Sequence, residues 1–299
     1  MNRIDVFWSL FLGYVEYNLN RVKLFHKPLI TGVEITNACN YHCDFCPINS
    51  LNASTIKRKV VRAKNFMSIK DFEEIIRRYK GYMGIIDLSH HGESFTHPQF
   101  SAILDILKKH SVEYGITTNA SLMDRYFKEL ISYPPSRIWF SLYTLDSSNY
   151  AIVTGGGDLK KSLGNIIKFL DMKKKHSFQT KVYVRTINYP LIKKDIKRFE
   201  AFFSKYDVDI DRNVLNSWAG RVDIKKYDVD YEKHTRKEKY CIQPWQHMII
   251  CSDGGAYICN NHEDVPIGYV LHTDLMQIWN SGKMQKIRRN ILDGKSDMN

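Results

Sequence analysis

The chain has 299 residues, 43% of them hydrophobic, with a formal net charge of +12. This is enough to bury a large core and suits one barrel-sized domain plus a small appendage. The basic surplus permits an anionic, phosphorylated or nucleotide-linked substrate. The lysine-rich stretches at 57–64, 173–175 and 193–198 form no compact aromatic-interleaved patch, so no nucleic-acid partner is expected.

The chain opens with an apolar run at 6–15, followed by Glu16, Arg21 and Lys23. A bilayer span takes ~20 apolar residues, so no membrane span is expected. An interfacial amphipathic helix is one reading of this run. The favoured reading is a helical extension, residues 1–28, packed across the following domain. Strand-like segments follow at 29–35, 84–89, 113–117, 137–143, 181–187 and 208–215. Helix-like segments alternate with them at 68–80, 98–110, 123–132, 159–176 and 193–206. Phe72, Ile75, Ile76 and Tyr79 illustrate the helical spacing. Alternation of this kind predicts an α/β fold with parallel β/α units. Six units fall short of the eight that close a barrel, so a partial (β/α)6 TIM-like barrel is expected over 29–215. The stretch 48–65, rich in Ser, Asn and Lys, reads as a loop. After residue 216 the texture changes to a small module, 216–299, with a hairpin turning at Asp253-Gly254-Gly255 and a helix over 275–292.

Three cysteines, Cys39, Cys43 and Cys46, follow the first strand in a C-x3-C-x2-C run. Soft thiolates select iron–sulfur centres, and three of them hold three corners of a [4Fe–4S] cubane while leaving one iron open. Structural zinc asks for a second C-x2-C or a histidine pair at set spacing, and neither is present. A disulfide framework is disfavoured by the odd number and by the lack of a secretory leader pattern, which point to a reducing, cytoplasmic setting.

A strand feeding this cysteine loop resembles the signature of radical S-adenosylmethionine (SAM) enzymes. The resemblance implies that the open iron binds the methionine end of SAM and that Phe45 lies near the adenine. Gly92 and Glu93 match the family's Gly-Gly-Glu motif, with His91 in place of the first glycine and Ser94 in place of the usual proline. Thr117-Thr118-Asn119-Ala120 is similar to Thr-Thr-Asn-Gly. Ser141, at the fourth strand, matches a polar ribose- or carboxylate-binding position, and the fifth strand carries Arg185, whose guanidinium could clamp the SAM carboxylate. Plain alternatives stand beside these roles. Glu93 could cap the next helix, Asn119 could be a turn residue, and Ser141 could be a strand hydroxyl. Arg185 could belong to an ion pair, while His90 and His91 could be either proton donors or packed rings.

Farther on, Cys241, Gly254 and Cys259, followed by Ile278-Trp279-Asn280, resemble the SPASM and shortened "twitch" modules, which carry an auxiliary iron–sulfur cluster. The resemblance implies that Cys241 and Cys259 are metal ligands. The family pattern continues with a further C-x2-C beyond where this sequence stops. The expectation is an incomplete site, joined by Cys251 or His262 or binding nothing, and a total of about four irons from one cubane.

The implied activity is reductive cleavage of SAM to a 5′-deoxyadenosyl radical that abstracts a substrate hydrogen, oxidising a sugar-, aminocyclitol-like or other small polar substrate. A peptide maturase and a non-catalytic iron–sulfur accessory protein are the alternatives. An external flavodoxin- or ferredoxin-like electron donor is the implied partner. The sequence is silent on the substrate.

Overall fold

The computed structural model describes residues 3–48, 50, 65–215, 217–218, 220–227, 241–259 and 265–295. Six parallel strands form the frame: β1 Leu29–Val33, β2 Met83–Asp87, β3 Tyr114–Thr118, β4 Arg137–Ser141, β5 Lys181–Asn188 and β6 Asp209–Val214. Three more, β7 His247–Ile250, β8 Gly255–Tyr257 and β9 Gly268–Tyr269, continue the same sheet. The strand order is β6-β5-β4-β3-β2-β1-β7-β8-β9, so the sheet curves into a partial barrel rather than a closed one. β7 pairs in parallel with β1, and β8 and β9 then pair antiparallel. The C-terminal hairpin therefore extends the barrel sheet from its first strand.

The helices are α1 Arg3–Asn18, α2 Ile69–Tyr79, α3 Phe100–His110, α4 Phe127–Ser132, α5 Ser147–Thr154, α6 Leu159–His176, α7 Ile196–Phe203, α8 Leu275–Trp279 and α9 Gly282–Leu292. In α2 the apolar positions Phe72, Ile75, Ile76 and Tyr79 are all buried, and the Ser68 hydroxyl accepts the Asp71 N–H at the N-cap. Such a cap contributes about 1 kcal/mol. The 275–292 segment is two helices, not one. The Asn280 side chain bonds both the N–H and the carbonyl of Leu24, and Ser281 starts a new helix by accepting the Met284 N–H.

Burial alternates along the strands and separates two faces. In β4, Ile138 and Phe140 are buried, and Phe140 meets Phe169 of α6 edge-on at 5.7 Å. Side chains alternate across a strand, so the half-buried Arg137, Trp139 and Ser141 face the concave side. β5 repeats this with Tyr183 and Arg185. Trp139 stacks on Tyr183 with centroids 4.8 Å apart, and the Arg137 guanidinium lies over the Trp139 ring. At the opposite end from the cysteine loop, α1 crosses the N-terminal ends of β1 and β2. Val6, Leu29, Thr31, Met83, Ile85 and Arg137 help line a cavity of about 670 Å³ there. No described helix is long and apolar enough to cross a membrane.

Candidate active site

In parallel β/α folds, chemistry gathers at the strand C-termini. β1 is followed there by the loop carrying Cys39, Cys43 and Cys46. The loop is pinned from two sides. On one, the N–H groups of His42 and Asp44 donate to the carbonyls of Thr154 and Val153 at the end of α5. Gly155 follows at φ +67°, where a Cβ would lie 2.4 Å from the His42 carbonyl oxygen, so only glycine fits. On the other, Glu93 N–H donates to Ala38 O at 2.9 Å. Within the loop, Tyr41 N–H points at Cys39 Sγ and Cys46 N–H closes a turn on Cys43 O.

None of the six cysteines is in a disulfide. Burial pushes the Cys39 thiol up to about 12, and the charges of Glu93 and Cys46 add to this. The Cys43 thiol is likewise pushed well up, first by burial and then by Cys46 and Cys39. The three sulfurs are thus close enough to repel one another as thiolates. They do not converge on a point: among the described residues, the group of three ligand atoms that lies within 4.8 Å of one another is elsewhere, at Glu34, His90 and Cys251.

Glu93 is buried at the end of β2 and reaches the end of β3. Its Oε1 accepts the Thr118 hydroxyl at 2.8 Å and the Phe95 N–H at 3.3 Å, and its Oε2 accepts the Asn119 N–H at 2.8 Å. Burial raises its pKa to about 7 against these bonds, which favour the carboxylate. Glu93 does cap a helix, but a single 3-10 turn at Ser94–Thr96 rather than the one starting at Phe100. The Asn119 side chain donates to Asn40 Oδ1 of the cysteine loop at 3.1 Å and accepts from Ser121. It joins two strand ends and is more than a turn residue. Ala120, where the family motif has glycine, sits at φ +62°.

Ser141 and Arg185 are register partners across β4 and β5. Arg185 Nε donates to Asp211 Oδ2 of β6 at 2.8 Å in a half-buried pair. The Tyr143 hydroxyl links this corner to the cysteine loop. Its pKa is raised by burial and by the charge of Cys43, and it is held down by Ser141 and Arg185. Phe45 meets Tyr143 edge-on at 5.5 Å and joins an apolar cluster with Tyr189 and Tyr227. The Tyr189 hydroxyl donates to Asp44 Oδ2 at 2.9 Å.

The structure therefore brings Phe45, Gly92, Glu93, Asn119, Ser141 and Arg185 to the end of the barrel that holds the three cysteines. Thr118 and Asn40 were not singled out from sequence, although both lie inside the motifs quoted. The auxiliary residues behave differently. Cys251 N–H donates to Gly255 O across the hairpin turn, whereas Ile249 pairs with Tyr257. Cys259 follows two residues after the end of β8, and its side chain is buried. His262 lies outside the described residues.

A half-open parallel barrel with a three-cysteine loop at its C-terminal mouth defines a class of protein, and comparison with known families agrees. Residues 33–200 match the model of the radical SAM superfamily, to which the chain belongs. Residues 241–298 match the SPASM iron–sulfur cluster-binding domain. The cofactors of such a protein are a [4Fe–4S] cluster and SAM, with an auxiliary iron–sulfur cluster in the SPASM region. A curated relative, the probable GTP 3′,8-cyclase of Archaeoglobus fulgidus, is 29% identical over 137 residues, which are 46% of this chain and 43% of that one. The chain thus matches less than half the length of that relative. Among solved structures, SuiB of Streptococcus suis bound to precursor peptide SuiA superposes with TM-score 0.67 at 16% identity, covering 92% of this chain and 69% of SuiB. BtrN in complex with AdoMet and 2-DOIA gives 0.55 at 15%, covering 90% and 89%. anSMEcpe with bound AdoMet gives 0.58 at 12%, covering 87% and 84%. At these identities the likeness is one of fold.

Proposed function

We propose that Cys39, Cys43 and Cys46 hold the [4Fe–4S] cluster and that the chain is a radical SAM enzyme acting on a small polar substrate. The spread of the three thiols carries this reading. They are near enough to repel one another, yet the three sulfurs do not all lie within 4.8 Å of one another, as the ligands of a single ion would. A cubane suits such a set, because each thiolate binds a different iron. When bound, the cluster supplies an electron from an external donor for cleaving SAM to methionine and a 5′-deoxyadenosyl radical, which takes a hydrogen atom from the substrate.

The chain's own groups would position the reactants. Glu93, with a pKa near neutrality, becomes a full carboxylate beside the ammonium of SAM. Thr118 and Asn119 fix its orientation, and the bare Gly92 lets the backbone lie against the cysteine loop. Phe45, on the apolar cluster, offers a ring to the adenine. Ser141 and Arg185 offer a hydroxyl and a guanidinium to the ribose or carboxylate. Trp139, Tyr183, Asp87 and Asp211 make the concave face aromatic and charged, which supports a hydroxylated or amino-bearing substrate. Such a substrate is bound by hydrogen bonds and ring faces rather than by an apolar slot. The net reaction we infer is oxidation of a sugar- or aminocyclitol-like alcohol: one hydrogen atom goes to the deoxyadenosyl radical, the hydroxyl proton leaves, and the auxiliary cluster would accept the remaining electron. Cys241 and Cys259 are assigned to the auxiliary cluster. A peptide substrate is the second reading, drawn from the peptide-bound SuiB structure.

Deuterium transfer tests the substrate class. The reconstituted enzyme is incubated anaerobically with reductant, SAM and a panel of carbon-deuterated aminocyclitols, sugars and short peptides. Label in 5′-deoxyadenosine from a cyclitol or sugar supports the proposal. Label from peptides alone contradicts it.

A further inference from the structure

Three neighbouring parallel strands, in the order β2-β1-β7, each deliver one metal-ligating side chain just beyond their C-terminal ends. Glu34 follows β1, His90 follows β2 and Cys251 follows β7. One ligand atom from each lies within 4.8 Å of the other two. Glu34 and Cys251 are fully buried and His90 is half-buried. The ends are locked together, since Glu34 N–H donates to Ile250 O at 2.8 Å. The carboxylate is oriented by Ser252, whose N–H and hydroxyl both donate to Oε1, at 3.2 and 2.8 Å. On the other side, Oε2 faces His91 Nδ1 at 3.6 Å.

We propose that Glu34, His90 and Cys251 form a mononuclear divalent-cation site, separate from the three-cysteine loop and from Cys241 and Cys259, and suited to zinc. One carboxylate oxygen, one imidazole nitrogen and one thiolate are a borderline-soft donor set of the kind zinc accepts. Tetrahedral zinc, with bonds of about 2.0–2.3 Å, sets its ligand atoms roughly 3.3–3.8 Å apart. The three atoms therefore need to close by at most about 1.5 Å, a movement of the order of side-chain torsions. Three protein ligands leave the fourth position for water or a substrate oxygen, as in zinc sites that bind substrate. Ser252 is a positioning residue that holds the carboxylate in place, in the manner of outer-shell partners of metal ligands. A cation there also offsets the charge of a carboxylate wholly removed from water. It would stand at the same end of the barrel as Glu93.

Metal counting on the reconstituted enzyme tests the site. The holoenzyme is incubated anaerobically with Zn2+, desalted and analysed for zinc and iron. The expected result is one zinc per chain in the wild type and less than a tenth of that in Cys251→Ser and Glu34→Gln, with iron unchanged. Ser252→Ala should weaken zinc binding by about 10- to 100-fold. Co2+ in place of zinc should give a thiolate-to-cobalt charge-transfer band that Cys251→Ser removes. Glu34→Gln is isosteric and carries the test should Cys251→Ser fail to fold. A wild type that retains no more zinc than Glu34→Gln overturns the proposal. So does a loss of iron in a folded Cys251→Ser, which would assign the thiol to an iron–sulfur cluster.

Discussion

Gly92 and Thr36 meet so closely that a Cβ on Gly92 would lie 2.4 Å from the Thr36 carbonyl oxygen, and 2.6 Å from that of Ala38. The end of β2 and the start of the cysteine loop are thus in backbone contact, and both obstructing atoms belong to main chain that cannot swing aside. Gly92→Ala is expected to displace the loop and destabilise the chain by about 2–3 kcal/mol. Iron retained after anaerobic reconstitution, compared with wild type, checks this; full retention would show that the contact yields.

Gly164 is the contrasting glycine. It lies exposed within α6, and nothing stands within 4 Å of a Cβ placed there. Gly164→Ala should stabilise the protein by about 0.5–1 kcal/mol through helix propensity alone. A raised urea midpoint with unchanged slope is the expected observation.

Glu93→Gln keeps the shape of the side chain and removes its charge. Bonds between charged partners contribute about 1.5–3 kcal/mol. SAM binding to the reconstituted enzyme should therefore weaken by about 10- to 150-fold, measured by equilibrium dialysis. The Gln side chain can still accept from Thr118 or Asn119, so the fold should persist. Unchanged affinity would remove Glu93 from the SAM site.

His97 carries a pH dependence. Its Nδ1 accepts the Gln99 N–H at 3.1 Å while Nε2 lies 2.9 Å from Met67 O, so the buried ring is neutral with its proton on Nε2. Burial lowers its pKa below 6.5, opposed only by the Met67 carbonyl. The folded value lies below the unfolded one, so the stabilisation is present above pH 6.5 and lost as pH falls further. Denaturant midpoints of wild type and His97→Gln, compared between about pH 7 and about pH 5, should show the steeper acid loss in wild type. Equal slopes would mean that the ring stays accessible to protons.

All six parallel strands were legible in the sequence because their apolar runs alternate with helices of clear period. What escaped has identifiable causes. α5, Ser147–Thr154, is short and buries Tyr150, Val153 and Thr154 without an apolar stripe, yet its C-terminus anchors His42 and Asp44. The break between α8 and α9 depends on Asn280 bonding Leu24, 256 positions away. The pairing of Arg185 with Asp211 and the meeting of Glu34, His90 and Cys251 are products of strand register. Register is set by the folded sheet, so distant segments reveal it only once paired. The three cysteines, confined to eight positions, carried their chemistry in spacing alone.

Production of 5′-deoxyadenosine tests the central claim most directly. Wild type and Cys43→Ala are reconstituted anaerobically, reduced with dithionite and given SAM, and the nucleoside is quantified per chain. The account predicts formation by wild type, with loss of essentially all of it, together with the iron of one cubane, in the variant. Equal yields from the two proteins, or none from a wild type carrying its full iron complement, would contradict it.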